Sequence, residues 1–328
     1  MTQRLPRQVS QPRQTVVCVI GSGRSGTSAV AHLVQQLGVY FGPEEHLGRE
    51  TAWNPEGCWE HLELMNMNLH LFQRLGGTDV APPAFAPGWQ HAPGLDDLRA
   101  EVRRIIAHDF SGQPIWGWKD PTLCLTLPFW QDLIGEMRYV ICVRNPVDVI
   151  ASLEKQWNWS LPSAINSWIE RNLSSVLYTT GHQRLFFSFD DYFQSPEEHV
   201  RRLAHFIGRP LPEAGTEAHR RIFGTLKSQL RNFASPVEKV MQDERLTEGD
   251  KHFYQQLRSA ASGDADVDTL ALVESYRGAM RGRYQTLRGY FQEYATQSEA
   301  ELAEARAALD QANARRDGFS LAPSTVTA

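Results

Sequence analysis

Residues 21–28, GSGRSGTS, have the composition of an anion-binding turn. An apolar, β-branched run precedes them at residues 15–20, and apolar residues at helical spacing follow over residues 27–37. A strand, a glycine-rich turn and a helix in this order direct backbone N–H groups and the positive end of the helix dipole toward a phosphate or a sulfate. The turn residues that we expect to contact such an anion are Gly23, Arg24, Ser25, Gly26, Thr27 and Ser28.

This turn lacks the lysine of the nucleoside-triphosphate motif GxxxxGK[ST]. Gly21 and Gly26 have the spacing of that motif, but Thr27 occupies the lysine position and Arg24 is the cation that remains. A kinase would therefore lack its usual contact to the β and γ phosphates. The glycines also match GxGxxG, but no acidic residue follows a second strand about twenty positions on, as dinucleotide binding requires.

A second candidate anion contact follows a later strand. Residues 138–144, RYVICVR, predict a buried strand, and a helix is expected from about Val147. Arg144 ends the strand, and Ser152 comes eight residues later on the first turns of the helix. The carboxyl ends of neighbouring parallel strands face one crevice, so both side chains can reach the ligand of the first turn. The alternatives are a salt bridge for Arg144 and a helix-surface position for Ser152.

GSGRSGTS at residues 21–28 and CVRNPVDVIAS at residues 142–152 together resemble the sulfotransferases that use 3′-phosphoadenosine 5′-phosphosulfate (PAPS) as donor. The resemblance spans Val16 to Gly208 and includes WKDPT at 118–122 and the segment 186–208. The RSGT form of the turn is similar to the tyrosylprotein and bacterial glycan-type branches. The family needs no metal, and no sequence cluster here demands one.

The resemblance implies a role for each motif. The first turn would hold the 5′-phosphosulfate, and Arg144 with Ser152 would hold the 3′-phosphate. Arg231, in LKSQLRN, lies where family members carry a late basic loop over the 3′-phosphate. Arg24 would neutralise charge on the leaving phosphate and the moving sulfuryl group, and Lys119 in WKDP would reach the same oxygens from a strand end. The alternative for Lys119 is a salt bridge with Asp120.

Three side chains are candidates for the general base that accepts the proton of the acceptor hydroxyl. Glu60 lies in NPEGCWEH, a segment that resembles bacterial family members. Glu45 follows Arg24 by 21 residues, a spacing like that of the tyrosylprotein branch. His61 is the third candidate, since the cytosolic branch uses a histidine. We rank them in this order, and Trp53 and Trp59 could raise the pKa of the base by partial burial.

Strands predicted at 15–20, 115–119, 138–144 and 184–189 alternate with helices. This alternation predicts an α/β fold, a P-loop-like three-layer α/β/α arrangement with a central parallel sheet. The proline-rich residues 81–94 predict a long loop that could form a lid or a substrate wall. Asp190, Asp191 and Tyr192 are expected to cap a strand and brace the next helix, without a catalytic role.

The 328 residues predict a polar tail at 1–14, the α/β domain at 15–290, a helix or short coiled coil at 291–317 and a disordered tail at 318–328. Self-association through the C-terminal helix is possible on this pattern. The net charge of −5 disfavours general binding to nucleic acid or anionic membranes. No apolar run is long enough to span a bilayer, and the apolar surroundings of Cys18 and Cys142 favour buried, reduced thiols, so we expect a cytoplasmic protein.

The sequence therefore predicts a PAPS-dependent sulfotransferase that acts on a small-molecule or glycan acceptor. Trp157, Trp159 and Trp168 follow the Ser152 helix, and aromatic faces over a cleft suit the sugar ring of a carbohydrate or glycolipid. A phenol or lipid hydroxyl stays open as the acceptor. The competing hypotheses are a P-loop kinase or NTPase with an atypical loop, and a non-catalytic nucleotide-binding scaffold that works through its helical tail.

Overall fold

The computed structural model describes residues 14–51, 54–263, 266–269 and 272. The strands are β1 (Thr15–Gly21), β2 (Ile115–Lys119), β3 (Arg138–Val143) and β4 (Arg184–Ser188). The helices are α1 (Thr27–Gln36), α2 (Leu62–Arg74), α3 (Asp96–Asp109), α4 (Leu123–Ile134), α5 (Pro146–Trp157), α6 (Leu161–Thr179), α7 (Phe189–Tyr192), α8 (Pro196–Ile207), α9 (Glu217–Phe223), α10 (Val237–Gln242) and α11 (Glu248–Ser262). Short 3-10 turns occur at Glu44–His46, Trp89–His91 and Ser228–Leu230.

The four strands form one parallel sheet in the order β2-β1-β3-β4. The interior strands are β1 and β3, and in β1 Val19 pairs with Lys119 of β2 on one side and with Val140 of β3 on the other. The chain winds outward from β1 in both directions, so the carboxyl ends of β1 and β3 border the crevice where open α/β sheets bind ligands. Gly21 pairs with Cys142 at this end, which brings the turn after β1 beside Arg144.

Alternating apolar residues bury both faces of the sheet. Val17, Val19 and Val140 pack with α1 and α8 in one hydrophobic cluster. The alternate residues Cys18 and Ile141 are equally inaccessible to solvent, and α4, α6 and α11 contact these strands. Burial on both faces explains why the strand sequences are continuously apolar and do not alternate with polar residues.

The predicted fold class is confirmed: a parallel sheet lies between two layers of helices. None of the helices that the structure describes combines the length and the apolar character needed to cross a bilayer. All the elements named above belong to the first of two compact units, Met1–Thr269. The helical extension and possible coiled coil at 291–317, the terminal tails and the domain boundary at 290 lie outside the described residues and stay predictions.

Gly117 of β2 leaves no room for a side chain, because a Cβ there would lie 2.1 Å from the carbonyl oxygen of Val17 in β1. We expect Gly117→Ala to force the strands apart and lower the free energy of unfolding by about 1–3 kcal/mol, the usual range for overpacking. Gly249→Ala is the control, since a Cβ there meets nothing closer than 3.7 Å, and alanine favours a helix. Urea denaturation of both variants measures the effect, and equal stabilities would contradict the prediction.

Candidate functional site

The turn after β1 is shaped by two residues with positive φ. Gly26 is the N-cap of α1 at φ 78°, and a Cβ on it would lie 2.2 Å from the ring of Phe189. Arg24 adopts φ 68° without being glycine, a conformation that costs energy and is found disproportionately at functional sites. This conformation lets the turn wrap back so that Ser25 donates its N–H to the carbonyl oxygen of Ser22 at 3.1 Å.

The two predicted anion-binding motifs touch each other. Arg24 donates from Nε to Ser152 Oγ at 2.9 Å. Arg144 donates from Nη1 to the carbonyl oxygen of Arg24 at 2.7 Å. Residues 24 and 152 therefore contribute to one site although 128 positions separate them.

A cavity of about 470 Å³, here called the anion cavity, opens between these motifs. Seven of the predicted ligand residues line it: Arg24, Gly26, Thr27, Ser28, Arg144, Ser152 and Arg231. Gly23 and Ser25 are not part of the lining. The proline-rich loop 81–94 contributes no lining residue either, and its role as a lid or a substrate wall stays a prediction.

The anion cavity is strongly basic, unlike the protein as a whole. Its described lining includes the cations Arg24, Arg144, Lys155, Lys227 and Arg231, and its one carboxylate, Glu56, is paired with Lys227 at 2.8 Å. Burial lowers the pKa of both Arg24 and Arg144, and Arg144 lowers that of Arg24 further by repulsion. An anion in the cavity would relieve both effects, which favours a multiply charged ligand.

Three buried polar atoms at or beside the cavity have no hydrogen-bond partner within the described part of the chain. They are the hydroxyl of Ser25, the Nδ1 of His32 and the Nε of Arg144. Buried donors are nearly always paired in native proteins, so unpaired donors beside a basic cavity point to a ligand with acceptor oxygens.

Lys119 and Glu60 form a buried ion pair at the carboxyl end of β2. The ammonium group of Lys119 also donates to the carbonyl oxygen of Cys58 at 3.2 Å. The alternative pairing of Lys119 with Asp120 is not formed, because Asp120 is buried against Asn68 instead, at 2.6 Å. Neither Lys119 nor Glu60 lines the anion cavity, although Trp59 does.

Comparison with known proteins shows which family part of the chain resembles. Residues 125–264, the segment that holds Arg144, Ser152 and Arg231, match the sulfotransferase domain family. This segment is therefore similar to sulfotransferases. No curated protein matches the sequence.

Several solved sulfotransferases are distantly similar. The sulfotransferase domain from the curacin biosynthetic pathway is 14% identical, with 76% of this chain and 98% of that chain covered and a TM-score of 0.41. The sulfotransferase from Alicyclobacillus acidocaldarius is 15% identical, with 78% of this chain and 96% of that chain covered and a TM-score of 0.39. Mouse sulfotransferase SULT7A1, solved with PAP, is 11% identical, with 80% of this chain and 89% of that chain covered and a TM-score of 0.39. The similarity to the sulfotransferase family rests on the segment 125–264.

The other two base candidates, Glu45 and His61, are not part of the Lys119–Glu60 ion pair. Glu45 is exposed on a 3-10 turn. His61 is buried, and both of its ring nitrogens are engaged: Nδ1 accepts the N–H of Leu64, at 3.4 Å, and Nε2 bonds Asp109, at 2.9 Å. Because both ring nitrogens of His61 are hydrogen-bonded within the protein, neither has a lone pair available for a substrate proton. We therefore do not propose His61 as the base.

His46, His61 and Asp109 form a cluster that sequence spacing did not indicate, since 15 and 48 residues separate its members. Their ligand-type atoms lie within 4.8 Å of one another. Because Nδ1 of His61 accepts a backbone N–H, its proton lies on Nε2 and is donated to Asp109. A metal at Nε2 would require the opposite tautomer, with Nδ1–H facing the N–H of Leu64, so the geometry fits hydrogen bonding better than coordination.

Opposite pKa shifts are expected within this cluster. The hydrogen bond to Asp109 raises the pKa of His46, whereas burial lowers the pKa of His61. Burial opposes ionisation of Asp109, but hydrogen bonds from His108, His46 and His61 lower its pKa on balance. The stabilisation from charged His46 is therefore present below the ordinary histidine pKa and lost as pH rises through the raised value.

NMR titration of the histidine ring protons tests these shifts. We expect His46 to titrate above, and His61 below, the ordinary value of 6.5. In Asp109→Asn the upward shift of His46 should disappear, because the neutral amide cannot stabilise the imidazolium. Titration of His61 above His46 would contradict this assignment.

Proposed function

We propose that this protein transfers a sulfuryl group from PAPS to an acceptor hydroxyl on a carbohydrate or glycolipid. The observation that carries the proposal is the contact between the turn after β1 and the Arg144–Ser152 motif around one basic cavity. The match of residues 125–264 to the sulfotransferase domain family also supports it.

The residues around the anion cavity suit a ligand with two separate anionic groups. The turn after β1 offers backbone N–H groups, the hydroxyls of Thr27 and Ser28, and Arg24 for the 5′-phosphosulfate. Arg144 and Ser152, together with Arg231, offer a second set of donors for the 3′-phosphate. The unpartnered donors of Ser25 and Arg144 would complete the two sets.

A kinase or NTPase fits the same cavity less well. Thr27 cannot supply the charge that a P-loop lysine gives to a triphosphate, and the lining carboxylate that the structure describes, Glu56, is already paired with Lys227. A magnesium ion would thus lack a free carboxylate in the described lining. A phosphosulfate carries less charge, and the guanidinium of Arg24 can bind two of its oxygens at once.

In the proposed reaction Glu60 accepts the proton of the acceptor hydroxyl. The acceptor oxygen forms a bond to sulfur while the bond from sulfur to the bridging oxygen breaks, and the electron pair leaves with the 5′-phosphate. Arg24 stabilises the charge that develops on that phosphate. Lys119, which is ion-paired with Glu60, would stabilise the sulfuryl oxygens in transfer.

The acceptor is proposed from the aromatic residues near Arg24. Trp157 is 46% exposed, and its ring centroid lies 6.0 Å from the guanidinium carbon of Arg24. Trp168, by contrast, is buried in the core. An open aromatic face suits a sugar ring, which can stack on one side and keep its hydroxyls in water on the other, better than a phenol that needs an enclosed apolar slot.

Calorimetric titration with 3′,5′-ADP, 5′-ADP and ATP, with and without magnesium, tests the donor. We expect 3′,5′-ADP to bind most tightly and without magnesium, and Arg144→Ala to weaken its binding by about 1–3 kcal/mol through loss of a charge-assisted hydrogen bond. Preference for ATP with magnesium would favour the kinase alternative. Tight binding without sulfuryl transfer to any acceptor would favour the non-catalytic scaffold.

Glu60→Gln should lower turnover and leave the affinity for 3′,5′-ADP unchanged, because the amide cannot accept the proton but retains the shape of the side chain. Glu45→Gln is the matched control, since that carboxylate is exposed and lies outside the lining of the cavity. Turnover with PAPS and affinity by calorimetry are the two readouts. A loss of turnover in Glu45→Gln alone would identify Glu45 as the base instead.

A further inference from the structure

Residues 231–235, here called the strap, line the anion cavity at 231–233, and hydrogen bonds hold the strap at every second residue. Phe233 accepts a hydrogen bond through its carbonyl oxygen from Nη2 of Arg144, at 2.8 Å. Ser235 donates its N–H to Asp148 at 3.0 Å and accepts at its carbonyl oxygen from Nδ2 of Asn145 at 3.1 Å. The backbone of the strap is thus fixed to the start of α5.

The side chain of Arg231, at the start of the strap, is held by Asp190. Nη2 of Arg231 donates to Oδ1 of Asp190 at 2.6 Å, and the second oxygen of Asp190 accepts the N–H of Asn145 at 2.7 Å. One carboxylate therefore connects Arg231 to the N-cap residue of α5, directly after Arg144. Asp190 is 12% exposed, so water competes little for these bonds.

Asp190 lies behind Arg231 as seen from the ligand. Arg231 lines both the anion cavity and a second cavity of about 320 Å³, whereas Asp190 lines only the second. A ligand in the anion cavity would thus meet the guanidinium and not the carboxylate. The carboxylate of Asp190 lies farther from the ligand than the guanidinium of Arg231. Its repulsion of a bound anion should therefore affect binding less than its orientation of the long, flexible arginine side chain.

We propose that Asp190 is a positioning residue for recognition of the donor's 3′-phosphate: it orients Arg231 toward that group and joins it to the Arg144 turn. The inference rests on the proposed function, since Arg231 and Arg144 are the residues assigned to the 3′-phosphate there. It also goes beyond the sequence-based expectation that Asp190 only caps a strand and braces the next helix.

The adjacent Asp191 provides a matched control. Its carboxylate pairs with Arg258 at 3.0 Å and accepts the hydroxyl of Ser188 at 2.8 Å, and it does not line the anion cavity. Asp191→Asn removes the same charge one residue away. It therefore reproduces any long-range electrostatic effect of Asp190→Asn without touching Arg231.

Calorimetry with 3′,5′-ADP and 5′-AMP against the full-length wild type and both variants is the test. The readout is the discrimination ratio, the Kd of 5′-AMP divided by the Kd of 3′,5′-ADP. Asp190→Asn should lower this ratio at least fivefold, leaving the Kd of 5′-AMP within twofold of wild type. Asp191→Asn should keep the ratio within twofold of the wild-type value.

Introducing Asp190→Asn into protein that already carries Arg231→Ala distinguishes an effect through Arg231 from a general disruption of the site. If Asp190 acts through Arg231, adding Asp190→Asn to Arg231→Ala changes the ratio no further. An equal drop in both backgrounds, a tighter 3′,5′-ADP complex in Asp190→Asn, or equal effects of the two aspartate variants would overturn the proposal. If Asp190→Asn does not fold, Arg231→Lys is the substitute, because it keeps the charge but removes the guanidinium whose Nη2 contacts Asp190. This variant should lower the ratio, and an unchanged ratio would overturn the proposal.

Failure of the proposed function gives a different result. A wild-type protein that binds 5′-AMP as tightly as 3′,5′-ADP has no 3′-phosphate site, which would remove the donor assignment together with this inference. A wild-type preference for 3′,5′-ADP that survives in Asp190→Asn would remove only the role of Asp190.

Discussion

The guanidinium of Arg144 holds the candidate site together. Its Nη1 bonds the carbonyl oxygen of Arg24 in the turn after β1, and its Nη2 bonds the carbonyl oxygen of Phe233 in the strap. A buried cation is costly unless its donors are paired, so these two bonds also help to keep Arg144 in place. Without this side chain, the turn and the strap would lose the connection between opposite walls of the anion cavity.

Cations concentrated in one cavity repel one another, and nearby carboxylates that do not line the cavity reduce this repulsion. Arg231 contacts Asp190 directly, and Asp148 lies 4.0 Å from Arg144 and from Arg231. Burial raises the pKa of Asp190, yet the nearby arginines and the N–H of Asn145 act in the opposite direction. Carboxylates behind a basic wall allow the wall to fold while its inner surface remains suited to an anion.

The short segment 58–61 is held from two sides, which sets the position of Glu60. On one side Glu60 pairs with Lys119 at the end of β2. On the other, His61 bonds Asp109 at the end of α3, and Gly48 donates its N–H to the carbonyl oxygen of Glu60 at 2.8 Å. The His46–His61–Asp109 cluster therefore acts as a support for the segment that carries the proposed base.

The sequence alone determined what depends on neighbours along the chain. The four strands, the helix after residue 26 and the glycine-rich turn before it follow from short-range periodicity, glycine positions and helix-start signals, and the structure contains each of them. The proline-rich loop 81–94 was read correctly as lacking strands and α-helices, but its sequence held no information on which cavity it would border. Loop composition reports local conformation and not the partner against which the loop packs.

Only the tertiary structure decided which distant side chains meet. Lys119 could be placed at a strand end from sequence, but its partner proved to be Glu60, 59 residues away, and not the adjacent Asp120. The same holds for Asp190 and Arg231, 41 residues apart, and for Arg24 beside Trp157. The reason is physical: hydrogen-bonded turns and helices are specified within a few residues, whereas ion pairs across elements depend on how the elements pack, and residue spacing does not encode that packing.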